Sequence, residues 1–188
     1  MNLKEQIINS FVLCSSNNCL EDICFPAFEV IDDQPTSPCR LLIDGQYGQF
    51  IIENPCEYLL SFLKIDHCIL FEQDGKKCDF AVFNADELIF VELKTIEENT
   101  SNNSRKRNKK KGEAYAQLEN TLKIFQSESI NLSGYQNNQK LFVIASVLDY
   151  NPPVVKIPVE RMANMNAQIK FFEKYNAILL MGHTYKFT

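Results

Sequence analysis

Asp79 and the triplet Glu92-Leu93-Lys94 are the residues best suited to chemistry in this chain. They stand in two apolar runs, KCDFAVF and LIFVELK, joined by Asn84-Ala85-Asp86-Glu87. A hairpin turning at Ala85-Asp86 sets Asp79 opposite Glu92, Phe80 opposite Val91 and Lys77 opposite Lys94. Strand side chains alternate, so residues 77, 79, 92 and 94 share one face and residues 80, 82, 91 and 93 the other. Two carboxylates set directly opposite repel, which weakens a sheet but suits a divalent cation. A surface salt bridge from Lys94 would be worth only ~0–1 kcal/mol, and it would not explain why charges sit among FAVF and LIFV.

Periodicity supplies the elements that must position these residues. Leu3, Ile7, Ile8, Phe11 and Val12 recur at helical spacing, which predicts an amphipathic helix over 3–13. Residues 14–38, broken by Pro26, Pro35 and Pro38, give no assignment. Residues 40–44 and 47–53 flank Gly45 and Gly48 as a hairpin. Asn54-Pro55-Cys56-Glu57 reads as a helix start, with Asn54 as N-cap and Glu57 closing a capping box, and the helix runs to about Lys64. Strands follow at 67–72, 77–83 and 88–94. Residues 96–111, EENTSNNS and then RKRNKKK, read as a polar, basic, mobile loop. A helix over 112–127 carries Tyr115, Leu118, Leu122 and Phe125, with Gln117 and Thr121 one turn apart. KLFVIASVL at 140–148 reads as a strand buried on both faces. A helix at about 159–174 and a strand at 176–187 close the chain.

Composition bounds the class. At 188 residues, 45% hydrophobic and 23% charged, the chain is sized for one soluble domain. It shows no apolar run long enough to span a bilayer, so a cytoplasmic location with no membrane partner is expected. Seven cysteines, scattered without a CxxC pair, fit reduced thiols better than a disulfide framework. Cys14, Cys19 and Cys24 match none of the common metal-ligand spacings. The net charge of -5 argues against a general nucleic-acid coat. Its distribution says more, because removing the six cations Arg105, Lys106, Arg107, Lys109, Lys110 and Lys111 from -5 leaves -11. Such a basic tongue on an acidic body can bind phosphates by counterion release.

The order of helix, strand, Asp-bearing strand, Glu-x-Lys strand, loop, Gln-bearing helix and buried strand resembles the PD-(D/E)XK nuclease superfamily. The likeness covers about residues 53–148, with residues 1–52 as an N-terminal extension of a single domain. It implies an α/β restriction-endonuclease-like fold, with a central mixed sheet flanked by helices. It also implies a metal-dependent endonuclease that hydrolyses DNA in prokaryotic defence, restriction or repair. The alternatives are a catalytically silent module that binds nucleic acid or a partner protein, and an RNA-cleaving enzyme with the same metal site.

Carried onto this sequence, the resemblance makes Asp79, Glu92 and the Leu93 backbone carbonyl the ligands of Mg2+ or Mn2+. Lys94 is the catalytic ammonium, Glu53 a third carboxylate and Gln117 a further catalytic residue. Tyr115 joins the basic run in binding nucleic acid, DNA ahead of RNA. A homodimer, or a partner protein of a larger system, is expected for double-strand cleavage. Two departures stand out: Cys78 replaces the family's proline before Asp79, and Thr121 replaces the tyrosine of RecB-like members.

Overall fold

The structure is a computed structural model and describes residues 1–34, 36–42, 47–96, 104–149 and 164–188. Its N-terminal part runs α1 (Leu3–Ser10), α2 (Leu13–Ser16), β1 (Leu20–Ile23), β2 (Ala27–Ile31), β3 (Arg40–Leu42), β4 (Phe50–Glu53) and β5 (Leu60–Lys64). A 3-10 turn at Glu72–Asp74 leads into β6 (Phe80–Phe83) and β7 (Leu88–Ile96). There follow α3 (Ser104–Ser127), α4 (Ser133–Asn137), β8 (Leu141–Asp149), α5 (Met165–Tyr175), β9 (Ile178–Met181) and β10 (Thr184–Lys186). The strands form a six-stranded sheet ordered β1-β5-β6-β7-β8-β9 and a four-stranded sheet ordered β10-β4-β2-β3.

The two sheets and the helices make an α/β sandwich around the β6–β7 hairpin. Strands β5, β6 and β7 are antiparallel neighbours, and β8 returns parallel to β7 after α3. Ala81, Phe83, Leu88 and Phe90 belong to the core that includes Ala114, Leu118, Leu122 and Phe125 of α3. Phe80, Val82, Ile89, Val91 and Leu93 belong to a second core, with Phe28, Val30, Phe50 and Ile52 of the four-stranded sheet. Burial on both faces explains why LIFV and FAVF are continuously apolar rather than alternating. No helix among the described residues is long and apolar enough to cross a membrane.

Several expected elements are replaced. The helix from Asn54 to Lys64 does not form: Asn54 Oδ1 accepts the Tyr58 N–H at 3.0 Å and Glu57 takes φ 50°, closing a turn. Leu60–Lys64 then extends as β5, hydrogen-bonded to β1 on one side and β6 on the other. Pairing on both edges outweighs a local capping signal, as tertiary context commonly does. Residues 67–72 are not a strand, because Cys68, Ile69 and Leu70 all donate to the Ile65 carbonyl in a tight turn. Strands β3 and β4 do not form a hairpin with each other, since both pair with β2. The closing strand breaks at Gly182, φ 149°, so that β9 joins one sheet and β10 the other.

The basic run is helical rather than a loop, occupying the first turns of α3 from Ser104; the preceding residues 97–103 lie outside the described residues. So do residues 159–163 of the expected late helix, whose described part is α5. Cys19 and Cys68 are joined as a disulfide, contrary to the expectation of reduced thiols throughout. That bond ties the start of the β1 segment to the turn after β5, across 49 residues of sequence.

Candidate functional site

From Phe80 to Phe83 the hairpin has the register expected from the sequence, with Phe80 opposite Val91 and Phe83 opposite Leu88; the ladder ends there, so the expected pairs Asp79–Glu92 and Lys77–Lys94 are not part of it. Asn84 sets the turn, its Oδ1 accepting the N–H groups of Asp86 and Glu87 at 2.8 and 2.7 Å. The Asp79 N–H donates to the Val91 carbonyl at 3.1 Å, and Asp79 Oδ2 accepts the Leu93 N–H at 2.5 Å. Asp79 is thereby fixed against the Glu92-Leu93 peptide. Glu92 is 0% exposed; its Oε1 pairs with Lys94 Nζ, and its Oε2 has no partner among the described residues. An unsatisfied buried carboxylate oxygen is costly to the folded state.

Electrostatics follow from this burial. Desolvation, with Asp32 next, pushes the Asp79 carboxyl up to about 8 against the Leu93 hydrogen bond and Lys94. Desolvation and the charge of Asp79 push Glu92 well above the usual carboxylate range. Burial opposes the charged form of Lys94, but Glu92 and Asp79 outweigh it and raise the amine above its ordinary value. Lys94 therefore stays an ammonium ion near neutral pH, able to stabilise negative charge and unable to act as a base.

Helix α3 fixes the backbone that carries Asp79. Gln117 Nε2 donates to the Lys77 carbonyl at 2.9 Å, and Asn120 Nδ2 to the Lys76 carbonyl at 2.6 Å. Thr121 Oγ1 accepts the Cys78 N–H at 2.9 Å and donates to the Gln117 carbonyl at 3.0 Å. Gln117 thus holds the Lys77 main chain through its amide nitrogen, and Thr121 anchors the residue before Asp79. Thr121→Val keeps the shape and orphans the buried Cys78 N–H, at a cost of about 1–3 kcal/mol. Thermal denaturation should show a loss of several degrees; an unchanged melting temperature would mean that the clamp is slack.

Other charges gather here that the hairpin pattern did not indicate. The N–H groups of Ile65 and Asp66 both donate to the Asp79 carbonyl, at 2.9 and 3.3 Å. Asp66 Oδ1 in turn pairs with Lys77 Nζ at 3.2 Å and with His67 Nε2 at 3.5 Å. Asp32, following β2, acts electrostatically on Asp79. Glu53 is not brought to this group. It pairs with Ala27 at the far end of β2, about 16 Å along the strand from Asp32. Among the described residues, no three His, Cys, Asp or Glu side chains converge closely enough to hold an ion by themselves.

The basic turns approach from α3. Glu113 acts on Lys94 and is also within 3.9 and 3.8 Å of Lys109 and Lys110. The residues before Glu113, back to Arg105, span about 12 Å along the helix. Cations at a helix N-terminus oppose the macrodipole, so the arrangement costs local stability and concentrates positive potential. Tyr115 donates its hydroxyl to Met181 Sδ at 3.2 Å and, with Lys111, lines a cleft between α3 and α5. No family model matches the chain, and no curated protein and no solved structure is significantly similar to it.

Proposed function

We propose that this chain is a metal-dependent nuclease of the PD-(D/E)XK type that hydrolyses phosphodiester bonds, with DNA ahead of RNA as substrate. The observation that carries the reading is Glu92: fully buried, beside the Leu93 N–H that Asp79 accepts, with one oxygen on Lys94 and the other unpartnered among the described residues. The path of the chain supports it from the β6–β7 hairpin onward, where a mixed sheet flanked by helices, with α3 between β7 and the buried β8, agrees with what the resemblance implies. An all-oxygen donor set of Asp79, Glu92 and the Leu93 carbonyl suits Mg2+ or Mn2+. Such an ion commonly takes one or two carboxylates and completes its shell with water and substrate phosphate, neutralising charge on the phosphate.

The remaining roles fall to this chain's own residues. Lys94, held charged, stabilises negative charge developing on the phosphate. Gln117 and Thr121 hold the Lys77-Cys78 backbone so that Asp79 keeps its place. The first turns of α3 contact backbone phosphates and orient the strand, which adds affinity without reading sequence. A rival reading, a nuclease-like module that holds nucleic acid without cutting, draws on the depth of the site, where the Lys94 side chain is only 20% exposed.

Incubating plasmid, linear duplex, single-stranded DNA and RNA with Mg2+, Mn2+ or EDTA separates the two. Metal-dependent cleavage by the wild type, absent in Lys94→Ala, is the expected result and identifies the substrate. Binding without cleavage under every condition would favour the silent module.

A further inference from the structure

Asp32 is a half-buried carboxylate held over the site by the second sheet. Its backbone N–H donates to Gln49 Oε1 at 2.6 Å, and Gln49 Nε2 donates to Oγ1 of Thr95, the residue after Lys94, at 3.0 Å. At the other end of the β2–β3 connection, buried Cys39 donates Sγ–H to the Asp79 carbonyl at 3.7 Å. The connection is therefore pinned both to the end of β7 and to Asp79. Asp33 is engaged by Arg40 at 2.7 Å, and Asp66 by Lys77 and His67. The Asp32 carboxylate has no hydrogen bond or ion pair among the described residues.

The charges that face Asp32 are those of the site. Burial, Asp66 and the neighbouring Asp33 raise its carboxyl, while Lys94 and His67 oppose the rise. Glu92 Oε2, buried and unpartnered, is an independent sign that something is to be bound there.

We infer that Asp32 is an outer carboxylate of the cation site, accepting hydrogen bonds from the water shell of the ion rather than touching it. The inference rests on the reading of Asp79 and Glu92 as ligands. Mg2+ and Mn2+ sites of few carboxylates retain several waters, and those waters need acceptors.

Mn2+ binding to the 188-residue chain, followed by the electron paramagnetic resonance of the free ion, tests this without reference to activity. Asp79→Asn should abolish binding and Asp33→Asn should leave it unchanged. Asp32→Asn should weaken it about tenfold, the low end for loss of an outer partner. Asp32→Glu should restore most of the affinity, and melting curves of each variant show that the fold is intact. Wild-type affinity in Asp32→Asn alongside loss in Asp79→Asn would overturn the role of Asp32 and leave the metal reading standing. No binding by the wild type would overturn both.

Discussion

Glu92→Gln is expected to raise the melting temperature of the metal-free protein by a few degrees and to lower metal-dependent cleavage by about a thousandfold. The two effects share one cause. In the wild type a fully buried carboxylate faces Asp79 with one oxygen unpartnered, and only Lys94 compensates it. At a pH where both carboxyls are ionised, Gln removes the repulsion and the cost of the orphaned charge, worth about 1–3 kcal/mol, while its amide oxygen can still accept from Lys94. The Lys94 side chain reaches solvent in part, so it is not left as a sealed, unpaired charge. Catalysis suffers because a neutral amide is a poor ligand for a hard cation, and several kcal/mol of transition-state stabilisation correspond to about a thousandfold in rate. Had the Glu92–Lys94 pair been built for stability, breaking it would cost about 3–5 kcal/mol. Differential scanning fluorimetry in EDTA, paired with the cleavage assay in Mg2+, distinguishes these outcomes. A large drop in melting temperature would mark Glu92 as structural.

What could be read in the sequence was what local pattern determines. Asp79, Glu92 and Lys94 flank a hairpin whose strands are buried on both faces, so the apolar runs and the Asn84–Glu87 turn gave the register of Phe80–Phe83 on Leu88–Val91, while the pairing of Asp79 with Glu92 that the same pattern suggested lies beyond the ladder. Helix α3 from Gly112 onward and strand β8 were visible for the same reason. Strand β5 was hidden because Asn54-Pro55-Cys56-Glu57 is a good local helix start, while the pairing that overrules it comes from β1 and β6, distant in sequence. The basic run gave no periodic signal since it lacks apolar residues. Lysine and arginine are nevertheless good helix formers, and the helix already read from Gly112 could have been extended backward through them. Asp32 and Asp66 were missed for another reason. Asp32 sits in a Pro-broken polar stretch, and its place depends on Gln49 bridging to Thr95 across two sheets, a contact that no spacing rule encodes. The Cys19–Cys68 bond likewise depends on the β1–β5 pairing that was not foreseen.

Added Mg2+ should stabilise the protein much more at pH 8.5 than at pH 6, with the steepest change just below pH 8. Between the ordinary aspartate value of 3.8 and about 8, folded Asp79 keeps a proton that the unfolded chain has released. The folded state therefore binds more protons across that window. The metal-free contribution of Asp79 to stability falls as pH rises through it and levels off above about 8. Burial shifts Glu92 and Asp32 in the same direction, so they reinforce the trend, while Lys94 remains charged throughout. A cation needs the carboxylate ionised and must displace that proton, so its affinity climbs with pH until Asp79 has titrated, and stabilisation follows affinity by mass action. Melting temperatures with and without Mg2+ across this range measure the effect, and calorimetry in buffers of different ionisation enthalpy counts the protons released. Asp79→Asn should remove both the Mg2+ shift and the proton release. A Mg2+ shift independent of pH would show that Asp79 is already ionised at pH 6, its burial offset by the Leu93 N–H and Lys94 more fully than the geometry implies.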